Sequence, residues 1–386
     1  MPALSIVVPA YNEELAIAAI VAQCLAAREA IQRETGLFPI EIIVVDDGSA
    51  DRTNEIASGF SQVKLVRHPV NRGYGAALMT GFLAASGEWL GFLDADGTCD
   101  PLAFIALFKA LKKEDADLAI GNRLHEGSRM PKIRAVGNRL YAGVISGLTG
   151  VRVRDTASGM RLFSRRLLPK LKPLPAGLHF TPAMTARAAC IGVRIVETPI
   201  PYAERTGRSK LNVFTDGLRF FGVILGIIFA YFPLRLFGPL GIFFGLVAMV
   251  YGVWPIRYYL EHRALLLPDM TPRLLTIVTL AVCGLTALAF GLLAQRLSDI
   301  ALGRDPGVLD NPRLRLGALV LGAALIVGGI ALNSRTIVEY VTTMHIQTPW
   351  IYVLVGGLCV ISGTVLVSLG VTLGIVNHLP RDAGKA

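Results

Sequence analysis

The 386-residue chain is short of charge: 17% of its residues are Asp, Glu, Lys or Arg, against 53% hydrophobic. Soluble domains carry about a quarter charged residues. The shortfall excludes an ordinary soluble protein and requires long uncharged stretches. Cysteine is scarce as well. Cys24, Cys99, Cys190, Cys283 and Cys359 are scattered, odd in number and form no CxxC pair. That pattern excludes a disulfide framework or a zinc site, and the five read as free thiols. Met1-Pro2-Ala3-Leu4 leads straight into the strand-like Ser5-Ile6-Val7-Val8, without a basic segment or cleavage site. The N-terminal part is therefore expected to stay on the cytoplasmic side.

Charge of one sign is also missing from part of the chain. The net charge is +10, yet residues 121–219 alone hold 18 Lys and Arg against 5 Asp and Glu, so the remainder is slightly acidic. A basic segment suits an anionic membrane face or a phosphate-bearing substrate; a solvated basic surface is the plainer alternative. No nucleic-acid partner is expected.

Residues 1–120 alternate two patterns. Apolar, β-branched runs at 4–8, 41–45, 63–66, 89–93 and 117–120 predict strands. Stretches at 13–34, 52–59, 74–86 and 101–113 predict helices. Strands alternating with helices imply βαβ units and a mostly parallel sheet, which binds ligands at the carboxyl ends of its strands. Four strands end in polar turns: Pro9-Ala10-Tyr11-Asn12-Glu13, Asp46-Asp47-Gly48-Ser49, Asp94-Ala95-Asp96-Gly97 and Gly121-Asn122-Arg123. Further on, helices at 134–149 and 180–191 and strands at 159–164 and 193–200 are expected, then a polar loop, Glu204 to Lys210.

From 216 the character changes. Apolar runs at 236–256, 273–295, 314–333 and 349–376 are each long enough to span a bilayer. The run 218–232, ending at Pro233, is about 15 residues and reads as an interfacial amphipathic helix, with a shallow fifth span as the alternative. The domains expected are therefore 1–215 (catalytic), 216–235 (interfacial), 236–376 (about four membrane helices) and 377–386 (a cytoplasmic tail). The 296–315 loop holds Arg296, Arg304, Arg313 and Arg315, which puts it and the catalytic domain on the cytoplasmic side. Gly317, Gly322, Gly328 and Gly329 permit close helix packing, and a homo-oligomer anchored by this half is expected.

The strongest chemical signal is Asp94-Ala95-Asp96. An apolar strand delivers two carboxylates, one residue apart, at its end. Hard divalent cations take one or two carboxylates plus substrate phosphates, and a cation there neutralises charge on a diphosphate leaving group. Asp46 and Asp47 can accept hydrogen bonds from a nucleobase or ribose; helix capping by Ser49 or Asp51 is the structural alternative. Tyr11 can pack on a base and Glu13 hold a ribose, or the segment is an acidic helix start. Asn71-Arg72-Gly73-Tyr74-Gly75 lacks the third glycine of a dinucleotide fingerprint, since Leu78 stands there.

In this order, Val7 to Glu13, Val45 to Ser49, Asn71 to Gly75 and Asp94 to Asp96 resemble family 2 glycosyltransferases with the GT-A fold, an α/β Rossmann-like sheet, here joined to an all-α transmembrane domain. Gly121-Asn122-Arg123, Asp155 to Arg161 and Arg205 to Lys210 resemble the dolichyl-phosphate mannose or glucose synthase branch. The resemblance covers roughly 1–235. It implies that Pro9, Tyr11, Glu13 and Asp47, with their neighbours Ala10, Asp46 and Ala95, contact the donor nucleotide, and that Asp94 and Asp96 hold Mg2+ or Mn2+ and the diphosphate. It implies that Arg205 and Lys210 close over the donor phosphates. It also implies that Arg123 lies near the acceptor phosphate or sugar and Asp155 near the sugar; Arg134 or Arg139, nearby in sequence, is expected to help orient the acceptor phosphate. Asp96, Asp155 and Arg123 are the catalytic candidates. The implied reaction is inverting transfer of one sugar from a UDP- or GDP-linked donor to a polyprenyl (dolichyl or undecaprenyl) phosphate. One departure stands out: the branch often has Gln two residues after the second Asp, and Thr98 stands there, so a looser metal site is expected.

Two rivals follow. A processive polysaccharide synthase usually carries QxxRW, which Trp89, Trp254 and Trp350 do not complete. A catalytically silent scaffold or lipid carrier is disfavoured by the intact Asp94-Ala95-Asp96.

Overall fold

The computed structural model describes residues 3–125, 130–205, 213–262, 270–304, 307–346 and 348–377. Its contacts divide the chain into two units, Met1–Ile228 and Phe229–Ala386.

The first unit is built on seven strands: β1 (Leu4–Ala10), β2 (Ile40–Asp46), β3 (Lys64–Arg67), β4 (Trp89–Phe92), β5 (Leu118–Asn122), β6 (Arg161–Ser164) and β7 (Ile195–Pro199). They lie in the order β3-β2-β1-β4-β6-β5-β7. All pairings are parallel except those of β6, which runs antiparallel between β4 and β5. The sheet is therefore α/β and mostly parallel, as expected. The reversed strand has a consequence for the site: Arg161 pairs with Phe92 and Ile120, so the chain entering β6 lies at the edge where β4 and β5 end.

Strand alternation sorts the core into two layers. From β1, Leu4, Ile6, Val8 and Ala10 face one cluster with α1 (Ile17–Thr35) and α4 (Ala103–Glu114), while Val7 faces the other. From β2, Ile42 and Val44 join the first cluster, Ile43 and Val45 the second. The second layer holds α3 (Tyr74–Ala84), α6 (Leu168–Leu171) and α7 (Phe180–Cys190). Two further helices complete the unit before the boundary region: α2 (Thr53–Ser58) and α5 (Lys132–Thr149). The helix expected from 13 starts only at Ile17. Asn12 and Glu13 instead donate their backbone N–H groups to Ser49 Oγ (2.9 Å) and Thr53 Oγ1 (2.8 Å), which ties the turn after β1 to the turn after β2.

The remaining helices are α8 (Val213–Tyr231), α9 (Pro233–His262), α10 (Thr271–Ala301), α11 (Pro312–Thr343) and α12 (Trp350–Asn377). All five contain stretches long and apolar enough to cross a membrane. The run at 218–232, up to Tyr231, thus belongs to a 19-residue helix that begins at Val213. Of the tail expected at 377–386, all but Asn377 lies outside the described residues.

Within the second unit, backbones approach closely at glycine pairs. A Cβ on Gly322 would meet Gly363 O at 2.8 Å, and one on Gly329 would meet Gly356 O at 2.5 Å, which closes the α11–α12 hairpin. Gly241 and Gly284 do the same for α9 and α10. Gly317 and Gly328 have nothing within 4 Å and do not serve that contact; spacing decides it, since 322 and 329 are two turns apart on one face. Where α8 gives way to α9, Pro233 has no N–H to continue the ladder. Ser298 Oγ donates to Ala230 O (2.6 Å) and Arg304 to Tyr231 O (3.0 Å), so carbonyls at this helix end are satisfied.

Candidate active site

The carboxyl edge of the sheet gathers the residues singled out above. After β2, Asp47 turns inward and is buried, 2% exposed. Its Oδ1 accepts from Arg72 N (2.9 Å) and meets His68 Nδ1 at 2.7 Å; its Oδ2 accepts from Gly73 N (2.8 Å). Asp47 thus anchors the turn that leads into α3. Gly48 makes this possible: its φ is +72° and a Cβ there would lie 2.5 Å from the Val70 carbonyl carbon. Asp46, fully buried, accepts from Ser49 N (3.0 Å) and lies 3.6 Å from Arg67 Nε. Asp51, one residue ahead of the Arg52 N-cap, accepts from Thr53 N (3.0 Å), while the N-cap position itself has no side-chain cap bond.

After β4, Asp94 and Asp96 enter the same edge. Tyr74 Oη, in the first turn of α3, donates to Asp94 Oδ1 (2.7 Å). Burial and the neighbouring Asp96 charge push the Asp94 carboxyl up to about 7. Burial beside Asp94 holds the Tyr74 hydroxyl well above its ordinary range, so it stays a donor. Asp96 is 7% exposed. Its Oδ1 accepts from Thr98 N (3.1 Å) and Thr98 Oγ1 (2.7 Å), and its Oδ2 lies 3.3 Å from an Arg205 nitrogen. The Thr98 hydroxyl therefore orients Asp96. Arg205 also reaches Glu13 Oε1 at 2.6 Å, bridging the ends of β1 and β4. Lys210 lies outside the described residues.

After β5, Arg123 is almost buried and pairs with Asp155 through three bonds: N to Oδ2 (3.0 Å), Nε to Oδ2 (2.8 Å) and a terminal nitrogen to Oδ1 (2.9 Å). Asn138 of α5 adds a fourth at 2.6 Å. The pair raises the Arg123 pKa and lowers that of Asp155, against a burial penalty on each. Asp155 is 0% exposed, so its carboxylate serves Arg123 rather than standing free as a base. The Tyr202 ring lies 5.5 Å from the Arg123 guanidinium. Glu197 accepts from Arg154 N and Asp155 N, both at 2.8 Å, and fixes the backbone beneath.

Arg134 and Arg139 are both on α5. Arg134 is half-buried; Arg139 is exposed and helps line a cavity of about 250 Å³ with Leu124, Val153 and Arg154. The outer face of α5 is apolar: Ile133, Val136 and Leu140 are 64%, 64% and 59% exposed. Tyr141 Oη donates to Gly217 O in α8 at 2.9 Å. His68, Tyr74, Asn138, Gly159 and Glu197 had no role in the sequence reading. Tyr74 and Gly159 stand in named motifs; His68, Asn138 and Glu197 are brought in by long-range packing.

Among the described residues there is no group of three or more His, Cys, Asp and Glu that could hold a metal. The donor set is Asp94 and Asp96. Two carboxylates suit a hard cation that takes its other ligands from a diphosphate and water, and burial, with the neighbouring Asp96 charge, raises the Asp94 carboxyl.

Residues 5–172 match glycosyl transferase family 2. The chain is 35% identical over 220 residues to a dolichyl-phosphate hexose transferase of Haloferax volcanii, covering 55% of this chain and 89% of that one. The chain belongs to glycosyl transferase family 2. This glycosyltransferase is also 35% identical over 222 residues to the low-salt glycan biosynthesis hexosyltransferase Agl6 of the same organism; the match covers 56% of this chain and spans about half (52%) of that relative. It is 32% identical to the dolichyl-phosphate beta-glucosyltransferase ALG5A of Trichomonas vaginalis, covering 54% of this chain and 68% of that one. Among solved structures, glucosyl-3-phosphoglycerate synthase of Mycobacterium tuberculosis, in complex with Mn2+, UDP and glucosyl-3-phosphoglycerate, is 20% identical with a TM-score of 0.47, over 59% of this chain and 80% of that one.

Proposed function

We propose that this glycosyltransferase transfers a single sugar, with inversion, from a nucleoside-diphosphate sugar to a polyprenyl phosphate at the cytoplasmic face of a membrane. The observation that carries the reading is the gathering of Asp94, Asp96, Arg205 and the Arg123–Asp155 pair at one sheet edge, in a chain whose described residues include five helices long and apolar enough to span a bilayer. The names of the relatives, which include dolichyl-phosphate hexose and glucosyltransferases, support this acceptor class.

Asp94 and Asp96 would hold Mg2+ or Mn2+, which neutralises charge on the departing diphosphate. Arg205, between Glu13 and Asp96, supplies positive charge beside the donor phosphates, joined in this reading by Lys210, five positions on in the sequence. Pro9, Ala10, Tyr11, Glu13 and Ala95 border the nucleotide. Asp46 and Asp47 support it from beneath by fixing the turns around it. The acceptor phosphate is already anionic near neutral pH and needs no strong base, in keeping with an Asp155 occupied by Arg123. Arg123, aided by Arg134 and Arg139, orients that phosphate; arginine suits bidentate phosphate contacts. Rate then comes from positioning and charge neutralisation. The exposed apolar face of α5, on the same helix as Arg134 and Arg139, would suit the hydrocarbon chain of such a lipid. Residues 1–215 form the catalytic part, 216–235 lie at the interface and 236–376 anchor a homo-oligomer.

The test is transfer of radiolabel from UDP-glucose or GDP-mannose to a short polyprenyl phosphate by the full-length protein. One sugar per lipid is expected. A polymeric product would favour a processive synthase, and failure to bind any nucleotide sugar with Mn2+ would favour a silent scaffold.

A further inference from the structure

Asp94 is held by two groups outside its own turn. On one side, Tyr74 Oη donates to Oδ1 at 2.7 Å. On the other, the bare Cα of Gly159 backs onto the carboxylate. A Cβ at Gly159 would lie 2.6 Å from Asp94 Oδ1 and closer still to Cγ and Oδ2. Gly159 is not in the left-handed region, so its backbone would accept a side chain; space alone demands glycine. The loop that presents it is fixed by Arg161, which is 0% exposed. Arg161 donates to Thr156 O (2.7 Å) and Ser158 O (3.2 Å).

A free aspartate side chain samples several rotamers, and a cation then bears the cost of choosing one. Here the choice is already made: a hydroxyl draws one oxygen and a wall of backbone closes off the opposite side. We propose that Tyr74 and Gly159 are positioning residues that set the Asp94 carboxylate for a divalent cation bound together with a nucleoside diphosphate. They act through Asp94 and touch neither cation nor sugar. The proposal rests on the metal-dependent reading above.

The test uses the full-length protein in detergent, with Mn2+ titrated by electron paramagnetic resonance in the presence of UDP and, separately, GDP. Removing partners that orient a metal ligand typically costs 10–100-fold in metal affinity. Tyr74→Phe, which deletes one oxygen, is expected to weaken Mn2+ about 10-fold. Gly159→Ala, which pushes the carboxylate itself aside, is expected to weaken it about 100-fold, with an altered Mn2+ spectrum. Melting curves without metal check folding, and should Gly159→Ala not fold, Tyr74→Phe carries the test. Wild-type Mn2+ affinity in folded Tyr74→Phe would overturn the proposal, as would wild-type affinity in folded Gly159→Ala. If the wild-type protein binds no Mn2+ with either nucleotide, the metal reading itself falls and takes the proposal with it.

Discussion

Replacing Asp155 by alanine separates stability from chemistry at the acceptor side. The change deletes a fully buried carboxylate and, with it, three bonds from Arg123 and one from Asn138, while Arg123 stays in place with its charge unpaired. Summing the bonds would overstate the loss, because each replaces a bond to water. The better guide is the cost of removing one partner of a buried pair, about 3–5 kcal/mol. A folded unit of 150–250 residues loses about 2–4 °C per kcal/mol, so a melting drop of roughly 10 °C is expected. The assay is thermal unfolding of the full-length protein in detergent, followed by near-UV circular dichroism. Asp155→Asn, which keeps one acceptor oxygen, should fall between. The double variant Arg123→Met/Asp155→Leu removes both charges and should recover most of the stability. Its sugar transfer should stay at least 100-fold down if Arg123 meets the acceptor phosphate, an order set by losing a transition-state charge contact. Melting of Asp155→Ala within about 2 °C of wild type, on the same scale, would refute the energetic reasoning.

Other perturbations address the remaining parts. Asp96→Ala should lower transfer at least 100-fold with Mn2+ present, while Thr98→Val, which removes one orienting bond to Asp96, should cost about 10-fold; radiolabel transfer at saturating donor reads both. The Asp94 carboxyl is raised to about 7 in the folded protein. Its contribution is therefore present in full below the unfolded value near 4 and lost as pH climbs from about 4 to about 7, by at most about 4 kcal/mol. Melting in EDTA across pH 4–8 should fall through that window, and saturating Mn2+ with nucleotide should flatten the slope. In α11, Gly329→Leu should lower the melting temperature by several degrees because it drives a side chain into Gly356 O, whereas Gly328→Leu, with nothing within 4 Å, should not.

Much of the fold was legible because local rules and tertiary rules agree. Apolar runs at 4–8 and 41–45 alternate between two packed faces, and β1 and β2 fill both layers of core. The membrane stretches needed only length and hydropathy, and all of them proved helical. The sequence pattern predicts helix from 13, yet the chain from Tyr11 to Ala16 stays at the sheet edge, held by Ser49 and Thr53 some 40 positions away.

The sequence by itself determined the class of sheet, the order of its polar turns, the family those turns resemble and the apolar half behind them, because each depends on short periodicities or contiguous runs. What the tertiary structure decided is what the acidic residues do once gathered. Asp47 anchors a turn through His68 and two backbone N–H groups, Asp155 holds Arg123, and Asp94 sits between Tyr74 and Gly159. Those partners are 20 to 65 positions distant in the chain, and no local pattern encodes them. Asp155 and Gly159 arrive there because β6 is inserted antiparallel between β4 and β5, which brings the 155–160 loop to the edge where the parallel strands end.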